Sequence, residues 1–244
     1  MIGQTLATAR RVMSQLRHDP RTIALVLVVP WVLMTTMRFV YEHHLRVFDQ
    51  AGAPLMAVFP LATMFVVSSV AVLRERQSGT LERLLTTPVS RLALLGGYAI
   101  AFALLAAVQA ISVSALTLGP LDLHVAGPTA MVLLVCVAIA ILGMGLGLLA
   151  SAFAQTEFQV VQFFPAAMYP QLLLSGLLVP RQHMIGVLHA ISDAMPLSYA
   201  VDAMHHISSE RTVAPALWGD LAIVIAFAMA SVAIGAVTLR RRTA

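Results

Sequence analysis

The 244-residue sequence contains no lysine; all 15 of its basic residues are arginine. A standard phosphate-binding P-loop sets a lysine against the nucleotide phosphates, so this chain holds none. If ATP drives its work, the ATP and Mg are expected on a partner polypeptide, with no cofactor bound here. Charge of either sign is also scarce, at 11% of residues, where soluble domains carry about 25%. Hydrophobic residues make up 59% and the mean hydropathy is +0.88, so lipid must solvate most of the chain. In that setting a net charge of +4 is no nucleic-acid footprint. The single cysteine, Cys136, excludes an intramolecular disulfide.

Other chemistry is missing too. Paired acids for hydrolysis are absent from the apolar runs, and Ser68-Ser69 has no histidine nearby in sequence, so no catalytic residue is assigned. His183, His189, His205 and His206 fit no common zinc spacing, and no metal is expected. A proton- or sodium-coupled transporter usually carries a carboxylate near mid-membrane. Asp220 and Glu157 lie instead near the ends of their runs. That weighs against such a transporter, although a sodium site can be built from backbone carbonyls.

What is present is a set of six apolar runs near 22–41, 54–73, 92–118, 129–153, 158–179 and 215–239. Each is long enough to cross the hydrocarbon, which takes roughly 20 helical residues. The expected fold is therefore an all-α integral membrane protein, one transmembrane domain over residues 1–244. Residues 1–21 lack a clear cleavage site. They read as an amphipathic interfacial helix, with Leu6, Ala9, Val12, Met13 and Leu16 on one face and Arg10, Arg11, Ser14 and Gln15 on the other. Placing both termini in the cytoplasm puts 11 arginines inside and 4 outside (Arg38, Arg46, Arg181, Arg211), as the positive-inside rule requires. Residues 180–213, cut by Asp193, Pro196 and Asp202, fit no span. They predict two short helices in or on the outer leaflet.

Two patterns inside the runs have more than one reading. Gly143-x-Gly145-x-Gly147 has no strand before it and predicts close helix packing instead of a dinucleotide loop. Thr63, Ser68, Ser69, Gln159, Gln162, Tyr169 and Gln171 either bond neighbouring helices or line a substrate path. Phe158, Phe163 and Phe164 either pack at a subunit interface or gate that path.

Between the second and third runs lies a charged island, Arg74 to Arg91. Thr80 is a candidate N-cap, Glu82 suits the first turn, Leu81, Leu84 and Leu85 make an apolar stripe, and Pro88 stops the helix. So short a helix needs something to receive its leucines, either lipid headgroups or a partner.

The order Glu75-Arg76-x-x-Gly79-Thr80-Leu81-Glu82-x-Leu84-x-x-Thr87-Pro88 resembles the cytoplasmic loop of ABC-2 type transporter permeases. Ser175-Gly176 with Pro180, then Pro196-Leu197-Ser198-Tyr199-Ala200, is similar to the extracellular re-entrant segment of that family. One departure is Gly97-Tyr98, where the family often has Gly-Lys. The resemblance implies an N-terminal elbow helix over 1–21, a coupling helix within 74–91 and re-entrant helices within 180–213. It further implies two cytoplasmic ABC ATPase subunits and a second, identical or related, permease in the bacterial plasma membrane. Glu75, Arg76, Gly79, Thr80, Leu81, Glu82, Leu84, Leu85 and Pro88 would then couple to the ATPase. Within the family the chain looks most like drug-resistance permeases, so amphipathic drugs or lipids are the expected cargo. The alternatives are a polysaccharide or glycolipid exporter, an ATP-independent secondary transporter and, more remotely, a membrane enzyme.

Overall fold

The computed structural model describes residues 2–79 and 90–242. Those residues form nine α-helices, one short 3-10 turn and no strand. In chain order the helices are α1 (Ile2–Arg17), α2 (Pro20–Val40), α3 (Leu45–Gln77), α4 (Arg91–Leu118), α5 (Thr129–Phe153), α6 (Glu157–Leu174), α7 (Gly186–Asp193), α8 (Pro196–Ser209) and α9 (Pro215–Arg242). The 3-10 turn is Arg181–His183.

Among the described residues five helices are long and apolar enough to cross a membrane: α2, α3, α4 over Gly96–Leu118, α5, and α9 over Pro215–Gly235. The chain is a multi-pass membrane protein. The run expected at 158–179 becomes α6, 18 residues that stop at Leu174. With Glu157, Gln159, Gln162 and Gln171 in its length, α6 falls outside those five.

Helix boundaries follow local chemistry. Asp19 caps α2: its carboxylate accepts from the Thr22 amide at 3.2 Å and the Thr22 hydroxyl at 2.7 Å, with Pro20 in the first turn. Those two bonds, the hydroxyl's first, hold the Asp19 carboxyl below its usual range. The second apolar run was expected to begin at 54, yet α3 begins at Leu45. Hydropathy registers only the lipid-facing part of a helix, and the added turns bury Phe48, Gly52 and Ala53 against protein. There Asp49 accepts from the His124 amide at 3.0 Å, and a Cβ on Gly52 would lie 2.6 Å from Leu123.

The axis of the bundle is α5, packed between α3 and α9. Its glycines set the approach. A Cβ on Gly143 would lie 2.4 Å from the Leu61 carbonyl, and one on Gly147 would lie 2.5 Å from that of Phe65. On the opposite face, one on Gly145 would lie 2.8 Å from the Ser231 Cβ. The three glycines thus serve helix contact, two toward α3 and one toward α9. The two short helices expected in 180–213 are α7 and α8. Leu197, Ala200, Val201, Met204 and Ile207 of α8 join the main core with Met56, Ala57 and Leu221.

α1 departs from the expected wheel. Its buried residues are Thr8, Ala9, Val12 and Leu16, while Leu6 is exposed. Arg11, expected on the polar face, turns toward α3 and binds Glu75. A wheel drawn from one helix cannot register a partner 64 residues away.

Candidate functional site

The last turn of α3 carries Arg74, Glu75, Arg76 and Gln77. At 3.6 residues per turn, four consecutive side chains fan out around the axis. Each reaches a different neighbour. Arg74 grips Glu157 at the start of α6 through two bonds, 2.7 and 3.0 Å. Arg76 donates to the Ser151 carbonyl of α5, and Gln77 donates to the Gln155 carbonyl at 2.8 Å.

Glu75 points inward. Its side chain is only 10% exposed. Arg11 of α1 donates to it at 2.9 and 3.4 Å, and the Tyr98 hydroxyl of α4 donates to Oε2. Arg11 also reaches the Tyr98 oxygen at 3.4 Å. A buried carboxylate needs both a countercharge and hydrogen bonds, and here they come from two other helices. The departure at Tyr98 gains a physical sense from that bond to Glu75, and the glycine before it has its own role. A Cβ on Gly97 would lie 2.4 Å from the Thr8 Cβ, so glycine lets α1 lie close on α4, and Arg11 follows one turn after Thr8.

α3 ends cleanly. Gly79 adopts φ +68°, the left-handed conformation that glycine takes without penalty, and its amide bonds the Arg76 carbonyl at 3.2 Å. Beyond the following segment, Ser90 caps α4 by accepting from the Ala93 amide at 3.2 Å. The Ser90 amide donates to the Gln4 side chain of α1 at 3.4 Å. Both banks of the segment are therefore tied to α1. The short helix expected at Thr80, Leu81, Glu82, Leu84, Leu85 and Pro88 lies outside the described residues.

A cavity of about 390 Å³ opens between α2 and α3. Its walls include Val26, Val29, Val66, Val70 and Phe164, and its polar rim includes Asp19, Thr22 and Arg74. None of Ser68, Ser69, Gln159, Gln162, Phe163 or Tyr169 is among its lining residues. Ser68 and Ser69 are fully buried, with Ser68 bonded to the Met144 carbonyl of α5 at 3.3 Å and Ser69 to Val66 at 3.0 Å. Gln159, Gln162, Phe163 and Tyr169 lie on the exposed side of α6. Thr63 does line the cavity and bonds the fully buried Gln109 at 2.9 Å, which donates on to the Val26 carbonyl. Gln109 went unremarked in the sequence; a lone glutamine within the apolar run 92–118 was its signal.

At the other end of α6 a second charged group forms. Arg181 binds Asp202 and Asp193 and sits 5.3 Å over the Tyr199 ring. The Tyr199 hydroxyl donates to the Asp193 carbonyl at 2.8 Å. Burial alone would lower the Arg181 pKa, but the bond to Asp202 and the charges of both aspartates raise it. Gly176 lies at φ +90°, where a Cβ would come 3.2 Å from the Arg181 Cγ; Pro180 precedes the turn, and Pro196 opens α8. Ser192 and Ser198 both donate to the Leu174 carbonyl, at 2.7 and 3.3 Å. The sequence marked Gly176, Pro180, Pro196 and Tyr199 but not the arginine between them. Its signal was an arginine in the same connecting stretch as Asp193 and Asp202.

A family profile described as "ABC-2 type transporter" matches residues 3–208. Over 167 residues the chain is 26% identical to "Probable multidrug ABC transporter permease YbhR" of Escherichia coli (strain K12), covering 68% of this chain and 45% of that protein. The protein of that name from Escherichia coli O157:H7 matches to the same extent. This chain thus spans about half the length of the curated relatives it matches. The profile takes in all but the first residue of α1, the whole foot of α3 and all but the last residue of α8, and the chain belongs to the ABC-2 type transporter family.

Proposed function

We propose that this chain is the membrane-spanning subunit of an ATP-driven exporter of amphipathic drugs or lipids. ATP and Mg are bound by two cytoplasmic ATPase subunits, and a second permease, identical or related, completes the path. The observation that carries this reading is the bracing of both banks of residues 80–89. α3 is fixed on one side through residues 74–77, and Ser90 is fixed on the other. A loop that only lay on lipid would need no such frame, whereas a docking element that transmits force does.

On this reading α1 is the elbow helix, and α6 with residues 175–179 is the fifth of six spans. α7 and α8 form the outer re-entrant segment, and both termini are cytoplasmic in the bacterial plasma membrane. The arginine asymmetry supports that orientation. The cavity, apolar in its walls and polar at its rim, suits an amphipath. The chain should copurify with a nucleotide-hydrolysing subunit from the cell that makes it. Transport persisting in vesicles stripped of ATP and driven by an ion gradient would defeat the proposal.

A further inference from the structure

Glu75 differs from the three residues around it. Arg74, Arg76 and Gln77 bind α6, α5 and the link between those helices. Glu75 is held from both the far bank of residues 80–89, through Tyr98, and the N-terminal helix, through Arg11. Its carboxylate is the most enclosed charge at the foot: the Arg11 and Glu75 side chains are 28% and 10% exposed, against 58% and 45% for Arg74 and Glu157. The Glu75–Tyr98 bond closes the neck of the segment. The Arg11–Glu75 bond extends that closure to α1, whose Thr5 and Thr8 already press on Gly96 and Gly97 of α4.

We propose that Arg11, Glu75 and Tyr98 are positioning residues for energy coupling: they join the neck of residues 80–89 to α1, so that a displacement of the segment moves α1 with it. The proposal rests on the reading that this segment docks an ATPase. It assigns Arg11 more than neutralisation of a buried carboxylate, since a cation on α4 would serve that purpose. What Arg11 supplies is the link from α3 to α1, beside the Gln4–Ser90 bond and the packing of Thr5 and Thr8 that tie α1 to the α4 bank. The charge must therefore come from α1 for coupling, and from anywhere near for folding.

Two double variants separate these roles in the intact permease–ATPase complex, reconstituted in proteoliposomes. The readouts are ATPase retained, thermal stability, and cargo moved per ATP hydrolysed. Arg11→Ala should retain the ATPase while cargo per ATP falls about fivefold or more, the usual scale of coupling between sites. Arg11→Lys should fall between, because an ammonium replaces the two-pronged contact by a point charge. Arg11→Ala with Tyr98→Lys places a cation on α4; it should recover stability but not cargo per ATP. Exchange of the charges, Arg11→Glu with Glu75→Arg, should recover both, and it serves even where a single variant fails to fold. Full recovery of coupling by the Tyr98→Lys combination, or unchanged coupling in Arg11→Ala with the ATPase retained, would overturn the joint alone. Failure of the unsubstituted chain to retain any ATPase would overturn the docking reading and the joint with it.

Discussion

The foot of α3 and the Arg181 group both set arginine against carboxylate, and they differ in how far apart the partners lie along the chain. Arg11 and Glu75 are 64 residues apart, and Tyr98 is 23 beyond Glu75. Arg181 reaches only 12 residues to Asp193 and 21 to Asp202. The short-range group ties one connecting stretch to itself, fixing how α7 and α8 fold back beneath the end of α6. The long-range group ties three helices together around a segment that enters and leaves between them. Equal chemistry therefore stabilises a local shape at one end and links separate bodies at the other.

The comparison can be sharpened by removing one charge at each end. Arg181→Ala strips two aspartates of their partner at once, and the Arg181 side chain is only 12% exposed. The loss should be about 3 kcal/mol, the low end for breaking a buried pair, because Asp193 is half exposed. Thermal unfolding in detergent would register it, and cargo per ATP in the surviving protein should be unchanged. Arg181→Lys should recover only part, since an ammonium lacks the fork that holds both carboxylates. Arg74→Ala breaks an exposed pair and should cost under about 1 kcal/mol. A loss as large as that of Arg181→Ala would break the ranking by burial.

The smallest effect is a pH dependence at α8. Burial holds His205 below histidine's ordinary value. The folded chain thus resists a proton that the unfolded chain accepts. Its contribution is fully present above the ordinary histidine value and declines as pH falls below it toward the folded one. Melting temperature should therefore drop on acidification from about pH 7.5 to 5.5, and His205→Gln should flatten that slope.

The sequence was legible where a pattern is local. Five of the six apolar runs, the spaced glycines of α5 and the two short helices after residue 180 announce themselves over a few residues. It was illegible where a partner is distant. Arg11 has the periodicity of a solvated charge, and nothing within α1 points to Glu75. Ser68 and Ser69 look like candidates for a path because hydroxyls in an apolar run are conspicuous. Their bonding within α3 and to the Met144 carbonyl emerges only when α3 meets α5 at Gly147. The start of α3 was missed because hydropathy stops where lipid does, while the helix continues against protein.

The most direct measurement is ATP-dependent accumulation of a fluorescent amphipath in inside-out membrane vesicles, with the unsubstituted chain compared with Leu84→Asp. Burying leucines in a groove is worth roughly 1.5–3 kcal/mol per side chain, and a buried aspartate reverses that gain. Leu84→Asp should insert at the normal level, lose the copurifying ATPase and accumulate no more amphipath than empty vesicles. Accumulation at the unsubstituted rate, with the ATPase still attached, would contradict the assignment of residues 80–89 as the element through which ATP hydrolysis reaches the membrane.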